Sequence, residues 1–428
     1  MRLLALVMLV AAVNAKHEIY KGWKSYIVKP ESYEQLEKLG SKLLEFELDF
    51  VKNAALDREG IVLVKPEYQA GFLKFLSEEN ISHTVHVEDL KAQFDLEDQE
   101  ILKQEQRTRS INGGRMPYDN YQPLNVIYEY IDRIAEQYPE TVTLVENLRS
   151  FEGRPLKYLK ISRDNFQSNK PVIFIDGGMH AREWISPPTV TYAIHKLVEN
   201  LTEPDLLERY DWILFPVANP DGYSFTHTST RMWRKTRSTD QHALSRQCPG
   251  VDGNRNFDFA WNTVGTSNNP CTDTYAGSRP FSEVEVRAVN AVIEEYLDRM
   301  LIYITMHSYG SLILYPWGHD GSLSQNALTL HRVGIAMGEA IDNLSLPSFR
   351  RYRVGNSLLT IGYGASGAAE DYAHSRGVPL TYTYELPGTG FGTQGFHLNP
   401  RYIHQVCIET WGGVVAGARS AASIYGKK

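Results

Sequence analysis

The stretch that most constrains this chain is Pro171-Val172-Ile173-Phe174-Ile175-Asp176-Gly177-Gly178-Met179-His180-Ala181-Arg182-Glu183-Trp184. Val172 to Ile175 is an apolar run rich in β-branched residues, the pattern of a buried strand, and Gly177-Gly178 ends it. The residues after the glycines then sit at the carboxyl end of a strand, where open α/β sheets hold their ligands. His180 and Glu183 are three residues apart on a tight segment. They can turn an imidazole nitrogen and a carboxylate toward one point, two-thirds of a catalytic zinc site. Taken alone, the pair also reads as a surface histidine and a solvated glutamate. A second apolar run, Leu301-Ile302-Tyr303-Ile304-Thr305-Met306, ends in His307 and so closes another strand with a candidate ligand. Trp184 follows Glu183, so neither HExxH nor HxxEH is present and the helical zincin site is excluded.

The stretches HAREW at 180–184, MWRKTR at 232–237, GNRNFD at 253–258, HSYG at 307–310, YGASG at 363–367 and TYEL at 383–386 carry a family likeness. In order and spacing they resemble zinc metallocarboxypeptidases of the pancreatic A/B type, from Tyr121 onward. The segment before them is similar to the prodomain of the same enzymes. The resemblance implies one zinc ion held by His180, Glu183 and His307, with a fourth position for the water that attacks the peptide bond. It implies that Glu385 is the general base and acid, taking that water's proton and passing it to the leaving amine. Arg234 matches the arginine that stabilises the oxyanion. Asn254 and Arg255 match the clamp on the terminal carboxylate, Arg182 a neighbouring substrate-binding arginine, and Tyr363 the mobile tyrosine that covers the bound end. Planar guanidinium groups suit that task because parallel N–H donors match two carboxylate oxygens. Without the resemblance, Glu385 reads as a strand-end carboxylate, Arg234 as part of a solvated basic loop, and Tyr363 as one of 25 tyrosines.

In this family the residue seven beyond the mobile tyrosine is apolar in A-type enzymes and aspartate in B-type enzymes. Here it is Glu370, with Asp371 beside it. A carboxylate on a pocket floor pairs with a cation and is left unpaired by an apolar side chain. The expected activity is release of C-terminal Lys, and of Arg. Glutamate is one methylene longer than aspartate, which favours the compact Lys, while Leu358 is expected near the pocket wall. The alternatives are A-type specificity for apolar or aromatic C-termini and, in another class, an inactive peptide-binding relative. The second would lack a ligand, the base or the clamp, and here each position is filled. Gly364-Ala365-Ser366-Gly367-Ala368 approaches a serine-hydrolase elbow but has Ala where the last Gly belongs.

Met1 to Ala15 reads as a secretory signal peptide: one basic residue, an apolar run and a small-residue cleavage pattern. Residues 16–109 read as an inhibitory activation prodomain with its connector. Tyr26–Val28, Ile61–Val64 and Ser82–Val87 are expected strands, and Tyr33–Glu47 and Tyr68–Glu79 expected helices, an antiparallel α+β sandwich. Arg107-Thr108-Arg109 before Gly113-Gly114 offers a trypsin-like protease its cut. Residues 110–428 read as the catalytic domain, an α/β fold with a mixed sheet covered by helices on both faces. Ser186 begins a helix on which His195 faces solvent, Ala218 to Gly222 marks a turn, and Ser282 with Glu285 forms a capping box.

A net charge of −7 with no basic run argues against nucleic acid or an anionic membrane as partner. After the leader, no apolar stretch reaches the roughly 18 to 20 residues of a membrane helix. The expected product is a secreted monomer, acting in a digestive lumen, whose partners are peptide C-termini, its own prodomain, an activating protease and protein inhibitors. For an exported protein, Cys248 and Cys271 are the natural disulfide, and the resemblance implies the same bridge. Cys407 then remains as a buried thiol. Asn80, Asn200 and Asn343 begin glycosylation sequons.

Overall fold

The computed structural model describes residues 16–43, 45–52, 54–56, 58–108, 116–388 and 395–426. The expected leader, the Arg107 side chain, Arg109 and Gly113-Gly114 lie outside the described residues. Two sheets, one of four strands and one of eight, organise the described residues.

The first sheet contains β1 (Lys24–Lys29), β2 (Asp49–Lys52), β3 (Gly60–Val64) and β4 (Ser82–Val87), in the antiparallel order β2-β3-β1-β4. Helices α1 (Tyr33–Ser41) and α2 (Pro66–Glu78) cover one face, where Val62 and Val64 meet Leu39, Phe72 and Leu76. On the other face Ile61 and Leu63 meet Leu90 and Phe94 of α3 (Leu90–Thr108), together with Met232 and Phe396. Every residue of β3 is therefore buried, and its sequence is uniformly apolar because both faces are covered. The helix expected to reach Glu47 stops at Ser41, just past Gly40, a poor helix former. The chain released there forms β2, a strand that the sequence pattern did not announce.

The second sheet runs β11-β10-β12-β9-β7-β8-β6-β5. Its strands are β5 (Val142–Val145), β6 (Tyr158–Ile161), β7 (Val172–Gly177), β8 (Asp211–Phe215), β9 (Met300–Ser308), β10 (Leu312–Tyr315), β11 (Arg353–Asn356) and β12 (Leu380–Leu386). The four central strands, β8, β7, β9 and β12, are parallel, so their carboxyl ends share one edge. On one face lie α4 (Leu124–Gln137), α5 (Ser186–Val198), α6 (Pro204–Arg209), α7 (Pro220–Thr228), α9 (Ala327–Leu344) and α12 (Ile403–Tyr425); on the other lie α8 (Val284–Glu295) and α11 (Ala369–Arg376), while α10 (Ser357–Ile361) follows β11. The alternation within β7 feeds both cores: Ile173 and Ile175 enter the first, Val172 and Phe174 the second. This is the mixed, doubly covered α/β sheet expected from sequence.

Several local readings change. The turn at 218–222 is a helix start, with Asn219 accepting from the Gly222 N–H as the cap of α7. No capping box forms at Ser282: α8 begins at Val284, Ser282 donates to Glu283, and Glu285 is fully buried. His195 is half-buried and shares a 3.0 Å contact with Glu199 instead of pointing into solvent. Cys407 is buried in α12, and Cys248 and Cys271 are bridged. Among the described residues, no helix is long and apolar enough to cross a membrane.

Candidate metal centre and its cleft

The glycines that end β7 let the chain turn sharply. Gly178 has a φ of +66°, and a Cβ there would meet Pro216 and Val217 at 3.2–3.3 Å. The turn brings His180 and Glu183 over the end of β9, where His307 emerges. The ligand atoms of the three residues lie within 4.8 Å of one another. His180 Nδ1 is 2.8 Å from Glu183 Oε1, His307 Nδ1 is 3.0 Å from Glu183 Oε2, and the two Nδ1 atoms are 2.9 Å apart. Two imidazole nitrogens that close to each other and to a carboxylate, all buried, leave space for one shared cation. Such an N,N,O donor set fits zinc.

A layer of partners holds these ligands. Asp252 Oδ1 lies 3.0 Å from His180 Nε2, and Asp252 Oδ2 accepts from Arg234 Nε at 3.0 Å and Nη2 at 2.9 Å. The Ser308 N–H donates to Glu183 Oε2 at 3.1 Å. Burial would raise the Asp252 carboxyl, but Arg234 and His180 outweigh it and hold it well below the usual carboxylate range. Glu183 is likewise kept low despite burial by the two histidines. Burial would lower His307, yet Glu183 raises it to about 9, whereas burial and Arg234 lower His180.

The centre opens on a cleft of about 1600 Å³, lined by His180, Glu183, His307, Arg182, Arg234, Asn254, Arg255, Tyr363, Glu370 and Glu385. All ten site residues expected from sequence thus share one space. The register that pairs His307 with Glu385 across β9 and β12 sets the base candidate level with the metal ligands. Burial and the nearby Glu183 push the Glu385 carboxyl up to about 8. Arg255 is held by carbonyls, Nε to Gly265 and Nη1 to Asn254, while the Asn254 Oδ1 accepts from the Ala369 N–H. Tyr363 is 37% exposed at the cleft.

Glu370 and Asp371 divide their tasks. Asp371 turns away from the cleft and accepts from the Gly318 and His319 N–H groups at 2.9 and 3.1 Å. Glu370 faces the cleft, 3% exposed, with no hydrogen-bond partner on Oε2 and a carboxyl raised to about 7 by burial and then by Asp371. Leu358 does not line the cleft; it packs toward Gly321. Ser366 is buried and bonded to the backbone of Thr263 and Val264, so it is no nucleophile.

The first sheet reaches into the same cleft. Asp49 on β2 accepts from Arg182 Nη1 at 3.3 Å, and Asp273 shares that nitrogen at 3.0 Å. Arg58, beside β3, donates to the Ile361 carbonyl two residues before Tyr363. Asp49, Asp252 and Asp273 were missed from sequence. Asp252 stands just before GNRNFD, a signal that was available, whereas Asp49 and Asp273 gain meaning only when remote segments meet.

A family model described as zinc carboxypeptidase matches residues 127–413, and one described as carboxypeptidase activation peptide matches residues 26–97. The chain is 58% identical to carboxypeptidase B of Helicoverpa zea over 429 residues, all of both chains. Its structure is similar to that of carboxypeptidase A from Helicoverpa armigera, with a TM-score of 0.91 and 40% identity over 96% of this chain and 100% of the other. It is also similar to bovine thrombin-activatable fibrinolysis inhibitor, solved in complex with tick carboxypeptidase inhibitor, at 33% identity and a TM-score of 0.66 over 72% and 99% of the two chains.

Proposed function

Because the chain belongs to the zinc carboxypeptidase family and carries its activation peptide, we propose that it is the zymogen of a secreted exopeptidase that removes C-terminal Lys, and less readily Arg. In this reading residues 1–15 are a leader, 16–109 the prodomain with its connector, and 110–428 the enzyme, freed by a cut at Arg107 or Arg109. The observation that carries the specificity is Glu370: a buried carboxylate on the cleft with an unpaired oxygen. An incoming ammonium supplies the missing partner, while an apolar side chain leaves it desolvated and unpaired.

Zinc held by His180, Glu183 and His307 supplies a Lewis acid that makes water reactive near neutral pH. Around it the chain's own groups act on the substrate. Arg255 and Asn254 fix the terminal carboxylate, and Tyr363 swings over it. That orients the scissile carbonyl toward the metal centre and toward Arg234, whose guanidinium Asp252 already holds in place. Preorganised positive charge stabilises the oxyanion without reorganisation during the reaction. Glu385 accepts the attacking water's proton and returns it to the leaving amine, a task suited to a carboxyl already raised to about 8.

In the zymogen, Asp49 occupies Arg182 and Arg58 holds the segment before Tyr363, which supports inhibition by the prodomain. The complex of a relative with a tick inhibitor supports a cleft open to small protein inhibitors once the prodomain has gone. The test is hydrolysis of peptides ending in Lys, Arg, Phe or Leu, before and after trypsin, with and without a chelator. Chelator-sensitive Lys release after trypsin is expected. Faster release of Phe or Leu would overturn the basic pocket and leave an A-type enzyme; no release would leave an inactive binding protein.

A further inference from the structure

Asp176 is hard to explain as a core residue. It sits in β7 with no exposed surface, at the end of an otherwise apolar run. Burying a carboxylate in such a strand is costly unless hydrogen bonds repay it. Two donors reach it from β9: the Tyr303 hydroxyl at 2.6 Å on Oδ2 and the Thr305 hydroxyl at 2.8 Å on Oδ1. The pairing of Asp176 with Thr305 across the parallel strands fixes that second contact. On its other side the Thr305 oxygen lies 3.1 Å from His307 Nε2.

We propose that Asp176 and Thr305 form a positioning relay that fixes the tautomer and ring plane of His307, and so its readiness to bind metal. This rests on the reading of His307 as a metal ligand. A threonine hydroxyl has one proton and two lone pairs. An ionised carboxylate only accepts, so the Thr305 proton goes to Asp176. The oxygen can then only accept from His307, which places the imidazole proton on Nε2. When the ring gives up its second proton to take a metal, the proton that leaves is the one on Nδ1, whose lone pair then faces His180 and Glu183, the form a metal ligand must have. His180 receives the same service directly from Asp252, so the two histidines are set by different devices, one by a carboxylate and one through an intervening hydroxyl.

The test measures zinc affinity of the full chain by competition with a chelator, with the melting temperature of the metal-free protein beside it. Thr305→Val keeps shape and branching but loses the hydroxyl, and should raise the zinc dissociation constant about 10–100-fold. Thr305→Ser restores the hydroxyl and should stay within about threefold of the parent, as expected if the relay acts through that group alone. Asp176→Asn can donate to Thr305 and reverse the chain of donors, so it should weaken zinc as Thr305→Val does, and the double variant should be no worse than the single ones. Tyr303→Phe removes an Asp176 partner outside the relay; it should lower the melting temperature and leave zinc affinity unchanged. Parent-like zinc affinity in both Thr305→Val and Asp176→Asn, while His307→Ala loses zinc, would overturn the relay alone. Retention of zinc by His307→Ala would overturn the ligand reading and the relay with it.

Discussion

Two pairs of carboxylates at and around the candidate metal centre stand in opposite electrostatic states. Glu183 and Asp252 are held low; Glu385, beside the same ligands, and Glu370 are pushed up to about 8 and about 7. Burial alone does not set the difference, since Glu183 and Asp252 are held low and Glu370 is pushed up although all three are 3% exposed or less. Partners do. Asp252 has Arg234 and His180, and Glu183 has two histidines and a backbone N–H, whereas Glu370 feels the negative charge of its neighbour Asp371 and Glu385 that of Glu183. Environments that drive like groups apart allow one site to hold a cation and move a proton at the same pH.

Each pair and its partners can be altered separately. Glu385→Gln removes the raised carboxyl and should lower kcat roughly 10²–10⁴-fold with zinc content unchanged; metal analysis beside steady-state kinetics checks both. Arg234→Ala strips Asp252 of its cation and should lower kcat about 10²–10³-fold, with Arg234→Lys recovering part of the loss. Glu370→Gln should leave turnover of Leu-ending peptides in place and reduce the Lys-over-Leu preference roughly tenfold or more, because the lost group is a charged partner of one substrate only. Asp49→Asn should act least. Asp273 still holds Arg182, so the prodomain's grip should weaken only about tenfold, near 1.4 kcal/mol, read as faster appearance of activity after trypsin.

The candidate metal ligands, the proposed base and the arginines were legible because each closes a strand or sits in a motif, and strand ends in a parallel sheet share an edge. The position of Glu370 on the cleft was legible from its spacing to Tyr363, and its separation from Asp371 follows from α11 turning one side chain to the cleft and the next to the Gly318 backbone. What escaped were contacts made by register and docking. The pairing of Asp176 with Thr305 depends on β7 and β9, more than a hundred residues apart in the chain. Asp49 lies on a four-residue strand too short to show a period, and its partner Arg182 belongs to the other sheet's edge.

Selection by Glu370 is tested most directly by the pH dependence of kcat/KM for paired peptides ending in Lys and Leu. A carboxyl raised in the folded protein is fully stabilising below its ordinary value and loses that contribution as pH climbs through its folded value. Glu370 therefore becomes charged, at some cost to stability, as pH rises through about 7. The Lys-to-Leu ratio should climb across that interval and level off above it, and should be flat in Glu370→Gln. A ratio that does not change with pH in the parent enzyme, or that climbs equally in Glu370→Gln, would contradict the assignment of Glu370 as the group that selects the substrate.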